Sequence, residues 1–153
     1  LGLPTEDEDD VQALVDLAQA CAGRFPRQVS VNLTPFVPKA HTPFQRLAQT
    51  RAKVIKRRIT HVERALRKRG IGVKAESPAW AEVQGTLARG DRRLAEALLN
   101  VERITPAAWR RALAQAGLSL SRLLGRRPTS EPLPWDFIET EVRATFFEDR
   151  TPL

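Results

Sequence analysis

Few side chains in this sequence can do acid–base, nucleophilic or metal chemistry. The chain has two histidines, one cysteine and no tyrosine, and it lacks a glycine-rich phosphate loop or a ligand spacing typical of a metal site. One thiol, Cys21, cannot form an internal disulfide or a multi-cysteine metal site, which favours a reducing, cytoplasmic setting. We therefore predict no metal ligands and assign no catalytic residue from these side chains alone.

His41 is the histidine best placed for chemistry. It lies in TPFVPKAHTPFQ, residues 34–45, where three prolines exclude a helix or a central strand and leave a stiff, extended loop. The loop directly follows a predicted strand, and in a (β/α) barrel such loops form the active-site face. Lys39 and His41 are therefore substrate-side candidates. The alternative is that this loop is a structural turn whose polar groups cap nearby backbone.

The elements around this loop follow from hydrophobic periodicity. An acidic run, residues 6–10, precedes a predicted helix from Asp9 to Gly23 and suits its positive end. Alternating side chains predict a strand over Gln28 to Leu33. A long amphipathic helix is predicted from Phe44 to Arg69, with Arg57 and Arg64 exposed and an apolar seam formed by Ala48, Ala52, Ile55, Ile59, Val62 and Leu66. A short strand is predicted over Ile71 to Val73. A helix followed by a strand is half of a βαβ repeat, so a preceding strand is expected to end at residues 1–3.

The second half of the chain is predicted to be a cluster of short helices. Ser77-Pro78 and Thr105-Pro106 each combine an N-cap with a proline in the first helical turn. Gly90-Asp91 ends one helix and caps the next by the same reasoning. A last element, predicted to be helical, spans Trp135 to Arg150.

Positive charge is concentrated on the long helix. The chain has 25 Lys and Arg against 18 Asp and Glu, a net charge of +7, and residues 46–69 carry ten of the cations with the single acid Glu63. Such a face could bind RNA through its phosphates. We call the cations of residues 46–69 the basic stripe. The favoured alternative is that the basic stripe is solvated and paired with acidic residues, because it has no aromatic side chains that could stack on bases. No stretch approaches the roughly 20 apolar residues of a membrane span, so no membrane partner is expected.

Four motifs, taken in order, resemble one family. They are GLPTEDEDDVQALVDLA at residues 2–18, VSVNLTPFVPKAHTPFQ at 29–45, LARGDRR at 87–93 and LPWDFI at 133–138. Together they are similar to the C-terminal half of a bacterial family of cobalamin-binding-type radical S-adenosylmethionine enzymes. The resemblance covers nearly the whole chain.

The resemblance implies an α/β fold: the last strand or two of a partial (β/α) radical S-adenosylmethionine barrel, followed by a mainly helical C-terminal module. The implied segments are 1–45 for the barrel end, 46–74 for the basic helix and its connector, and 75–153 for the module. The implied cofactors are S-adenosylmethionine and a [4Fe–4S] cluster, with cobalamin as a further one. Gly2, Pro4 and Glu6 are the cofactor-binding candidates. The alternative is that they only shape the turn.

The cluster loop CxxxCxxC of that family is absent, and Cys21 matches none of its ligands. The chain is therefore expected to be a C-terminal portion that is not catalytic alone, and its partners would be the N-terminal remainder and an unknown substrate. The absence of methionine also suggests a fragment or a trimmed chain. The family pattern often has proline at Ala40 and tryptophan at Arg46, which puts detailed substrate contacts in doubt. For Asp91 we favour a capping role over a catalytic one.

Overall fold

A computed structural model describes residues 1–142 and Phe146. The chain divides into two compact units, one formed by residues 1–36 and 50–78 and the other by residues 37–49 and the chain from residue 79 onward. Six helices and two parallel strands are present in the described part of the chain, so the fold is α/β with helices predominating. The division of the sequence at residues 45 and 74 stays a prediction.

The first unit alternates helices and strands. Its elements are α1 (Glu8–Arg24), β1 (Ser30–Leu33), α2 (Ala52–Arg67) and β2 (Gly72–Ala75). Asp7 caps α1 through a reciprocal pair of bonds with the third residue of the helix, which is how an acidic run stabilises a helix start. The helix predicted from Asp9 to Gly23 is confirmed as α1, and the two predicted strands are confirmed as β1 and β2. Most of their ends differ from the prediction by one or two residues.

The strands of this unit follow one another in chain order. β1 pairs in parallel with β2, with Ser30 opposite Gly72. Directly after β1, the Leu1 nitrogen donates to the Thr34 carbonyl at 2.9 Å, and the Phe36 N–H donates to the Leu1 carbonyl at 2.7 Å. These two bonds are those of parallel pairing. The strand expected to end at residues 1–3 is not formed as a regular strand, but Leu1 pairs in parallel with residues 34–36, directly after β1. α1 connects Leu1 to β1, and α2 connects β1 to β2.

The long helix is shorter than predicted. It begins at Ala52, not at Phe44, and ends at Arg67. The expected apolar seam is confirmed within it, since Ile55, Ile59 and Val62 are buried while Arg57 and Arg64 are exposed. The start was wrong because residues 44–49 belong to the second unit, where the Gln49 N–H bonds to the Leu124 carbonyl at 2.9 Å.

The second unit is helical. It contains α3 (Pro78–Arg89), whose first residue belongs to the first unit, then α4 (Leu94–Leu99), α5 (Pro106–Gln115) and α6 (Leu120–Leu124). The predicted proline starts of α3 and α5 are confirmed. Trp109, 4% exposed, is part of the apolar core of this unit.

The predicted last helix, Trp135 to Arg150, is not formed at its beginning, where residues 134–137 make a turn. The Asp136 carboxylate accepts the Leu133 N–H at 2.7 Å and stabilises this turn. Residues 138–142 are not helical either, Phe146 is helical, and residues 143–145 and 147–150 of the prediction lie outside the described residues. In the part of the chain that the structure describes, no helix combines the length and apolar character needed to cross a membrane.

Candidate functional site

The N-terminal turn holds the three cofactor-binding candidates. The Glu6 carboxylate accepts the Gly2 N–H at 2.8 Å and forms an ion pair with Arg58 at 2.6 Å. The Arg58 guanidinium also donates to the Glu6 carbonyl at 3.0 Å and to the Glu8 carboxylate at 3.2 Å. Gly2 and Glu6 are therefore brought together, while Pro4 is exposed.

Gly2 has a structural reason to be glycine. Its φ is +95°, and a Cβ at this position would lie 2.4 Å from Ile55 Cδ1, which is closer than real side chains allow. The Thr50 hydroxyl donates to the Gly2 carbonyl at 3.0 Å. These contacts explain the shape of the turn, and a cofactor contact by Gly2, Pro4 or Glu6 stays a prediction.

The substrate-side candidates lie in the second unit. The Lys39 side chain is exposed, and the Lys39 carbonyl accepts the Thr42 hydroxyl at 2.8 Å. Among the described residues other than glycine, His41 alone has a positive φ, +52°. Its Nε2 is buried and has no hydrogen-bond partner among the described residues. A left-handed backbone and a buried, unpaired polar atom each reduce the stability of the folded protein. Such features cluster at functional sites.

Gln45 connects His41 to the far end of the chain. Its side-chain oxygen accepts the His41 N–H at 3.2 Å and the Trp135 indole N–H at 2.8 Å. One amide oxygen thus fixes the backbone of the loop and the ring of the LPWDFI motif together. We call His41, Gln45, Trp135, Arg127 and Arg89 the His41 network.

Two arginines extend this network to the LARGDRR motif. The Arg127 guanidinium lies 5.6 Å from the centre of the Trp135 ring, a cation–π distance, and it donates to the Arg89 carbonyl. Arg89 is fully buried and donates to the carbonyls of Leu47 and Gly125. Burial, and next the charge of Arg127, lower the pKa of Arg89 to about 10, so its guanidinium is charged at neutral pH.

Backbone contacts also hold residues 45–49 against residues 124–131. Arg46 donates to the carbonyls of Pro128 and Glu131 at 2.7 and 2.8 Å. The Arg127 N–H in turn donates to the Arg46 carbonyl at 2.8 Å. Arg46 was counted in the basic stripe of the long helix, and the structure instead gives it this bridging role.

Clefts flank the second half of LARGDRR. One, of about 420 Å³, is lined by Asp91, Arg93, Arg122, Arg127 and Glu131 among others. A second, of about 660 Å³, lies beside Asp91, Arg93 and Phe137. Hydrogen bonds from the Arg93 side chain lower the pKa of Asp91 to about 2. A carboxyl with so low a pKa does not suit proton transfer near neutral pH. The Asp91 carboxylate also accepts the Arg93 N–H at 2.9 Å, but the N-cap of α4 is Arg93 and has no side-chain cap bond, so Asp91 stabilises the turn before α4 and is not its cap.

The described residues do not fit a [4Fe–4S] cluster. Such a cluster needs several thiolates, and Cys21, partly buried in α1, is the sole cysteine of the chain. Within residues 1–142 and Phe146, no group of three or more His, Cys, Asp or Glu side chains could hold a metal ion. Any cluster ligands must therefore come from outside this chain.

The chain is similar in sequence to part of an archaeal protein. The chain is 34% identical, over 98 residues, to the uncharacterized protein MJ0966 of Methanocaldococcus jannaschii. The matched segment covers 64% of this chain and 21% of that protein, so the chain spans about a fifth of the length of the relative. No family model matches the chain, and no solved structure matches it.

Sequence reasoning missed most of the His41 network. Gln45 and Trp135 were inside quoted motifs, but nothing in the sequence paired two residues 90 positions apart. Neither Arg89 nor Arg127 is a candidate from the sequence. The signal that could have found Arg89 is its place in α3, on the same face as the buried Gly85 and Thr86.

Proposed function

We propose that this chain is the C-terminal portion of a radical S-adenosylmethionine enzyme, completing the (β/α) barrel and adding a helical module on the substrate side. The observation that carries the proposal is that the second unit brings together LARGDRR, LPWDFI and the later part of the proline-rich motif, residues 37–45. Gln45 of the proline-rich loop bonds to Trp135 of LPWDFI, and Arg127 joins Trp135 to Arg89 of LARGDRR. A module that shapes a substrate site is expected to hold such segments rigidly together.

The strand order of the first unit supports the barrel part of the proposal. β1 and β2 are adjacent parallel strands connected by α2. Leu1, which α1 connects to β1, makes parallel-type backbone bonds to residues 34–36. Repetition of strand, helix and adjacent parallel strand is the pattern of a (β/α) barrel. In the proposal these are the last strands of that barrel.

The cofactor chemistry belongs to the longer protein in this proposal. Its cluster and S-adenosylmethionine would supply a 5′-deoxyadenosyl radical, with cobalamin as a further cofactor. The remainder of the barrel would bind these cofactors. The longer protein would be cytoplasmic. This chain's own contribution is to orient and enclose the substrate. The clefts beside Asp91 and Arg93 and the unpaired His41 Nε2 are the features that suit such a role.

The test of the proposal is replacement of His41 by glycine in the full-length protein. Glycine adopts a positive φ without strain, so the variant should keep or slightly raise its melting temperature while it loses the imidazole. We expect turnover, followed as 5′-deoxyadenosine formation, to fall by about 100-fold, as when a side chain that positions the substrate is lost. Cluster content should stay unchanged.

Two companion variants separate function from folding. His41→Asn tolerates the left-handed backbone and keeps a polar side chain, so it should retain more turnover than His41→Gly. His41→Ala keeps the strain and should lose both stability and turnover. A stably folded His41→Gly protein with full turnover would show that the loop is a structural turn only.

A further inference from the structure

The exposed face of α2 is strongly cationic. Residues 52–69 contain one acid, Glu63. Of the cations in this segment only Arg58 is buried, and the exposed ones are Lys53, Lys56, Arg57, Arg64, Arg67, Lys68 and Arg69. We call these seven side chains the basic face.

Most of this charge is not neutralised within the described part of the chain. Arg57 forms an ion pair with Glu8 at 2.8 Å, and both side chains are more than half exposed. The other six cations make no ion pair with a described residue. Like charges held together on one surface repel one another and create a positive potential. The basic face therefore attracts an anionic partner.

Side chains of the basic face line a groove. A groove of about 590 Å³ runs along α2 and is lined by Lys53, Lys56, Arg57, Thr60, His61, Arg64, Ala65 and Lys68. The first and last of these are 15 residues apart, about 22 Å along a helix, with a cation or His61 on each turn. His61 Nε2 lies 3.0 Å from the Gln12 side-chain oxygen, which holds the ring at the groove. A row of this length suits a linear polyanion better than a single phosphate.

We propose that the basic face binds the phosphodiester backbone of a nucleic acid strand. No aromatic side chain lines the groove, so bases cannot stack there and the binding should lack sequence preference. An anionic membrane is a poorer fit, because α2 has no exposed large apolar side chain to enter a bilayer. This site is separate from the proposed radical chemistry, and its test needs no cofactor.

The test is fluorescence anisotropy of the 153-residue chain with labelled 20-nucleotide RNA and DNA strands of identical sequence. With about five phosphate contacts, the association constant should fall about 100-fold between roughly 50 and 200 mM salt. Binding of either strand with that salt dependence supports the proposal, and the two strands show which nucleic acid is preferred. Absence of binding to both at low salt would overturn it, and so would tighter binding to anionic vesicles.

Matched variants separate the groove from net charge. Lys56→Gln, Arg64→Gln and Lys68→Gln combined should reduce the slope of log K against log salt by about 2, since each lost contact removes about 0.7. The control combines Arg27→Gln, Arg103→Gln and Arg111→Gln, three exposed cations outside the groove. It removes the same charge and should change affinity by less than about twofold. Equal losses in both variants would show a diffuse field and not a site.

Discussion

Replacing Arg89 with methionine should lower the free energy of unfolding of the second unit by about 3–5 kcal/mol, because one buried and one partly buried carbonyl lose a charged donor. Arg89 is 0% exposed, and its guanidinium bonds the Leu47 carbonyl to the Gly125 carbonyl. Methionine fills similar space without these bonds. The segments that carry His41 and Trp135 should therefore loosen together.

Urea unfolding followed by tryptophan fluorescence measures this change. All three tryptophans, Trp80, Trp109 and Trp135, lie in the second unit, so the signal reports that unit. The control is Arg92→Met, an exposed position in the same motif, where a change within about 0.5 kcal/mol is expected. Arg89→Lys keeps the charge but cannot span two carbonyls, so it should remain clearly destabilised. Equal midpoints for Arg89→Met and Arg92→Met would contradict the structural role of Arg89.

Replacing Arg58 with alanine should destabilise the first unit by about 3–5 kcal/mol, the cost of breaking a buried ion pair by removing one partner. The Arg58 and Glu6 side chains are 8% and 10% exposed. Without Arg58, the Glu6 carboxylate would keep the Gly2 N–H as its remaining partner among the bonds described. The turn that brings Gly2 against Ile55 should open.

The neighbouring arginine provides the control for this prediction. Arg57 pairs with Glu8 at the surface, where both side chains are more than half exposed, and such pairs contribute about 0–1 kcal/mol. Cys21 in α1 is partly buried, so the rate of its labelling by a thiol reagent reports opening of the first unit. Arg58→Ala should accelerate labelling strongly and Arg57→Ala only slightly. Similar rates for the two variants would refute the buried ion pair.

Local patterns predicted the elements well where side-chain spacing alone decides the structure. The seam of Ile55, Ile59 and Val62 and the proline starts of α3 and α5 are confirmed. The same seam extended by coincidence to Ala48, which is exposed and outside the helix. The Gln49–Leu124 backbone bond competes with the helix there, and its partner is 75 residues away.

The candidate site depended even more on distant partners. Arg58 was read as part of a basic stripe, but Glu6, 52 positions earlier, draws it inward. The left-handed backbone of His41 and its unpaired Nε2 have no counterpart in hydrophobic periodicity. A proline-rich loop after a strand indicated where to look, while the three-dimensional partners Gln45 and Trp135 supplied the network.

The most direct test of the proposed function compares cluster content in two proteins prepared anaerobically with iron and sulfide. The 153-residue chain should hold no [4Fe–4S] cluster, because one thiol cannot supply its ligands. The product of the complete reading frame that contains this chain should show the cluster's absorbance and form 5′-deoxyadenosine from S-adenosylmethionine. A complete product without cluster or 5′-deoxyadenosine would contradict the account, as would a stoichiometric cluster on the chain alone that Cys21→Ser abolishes.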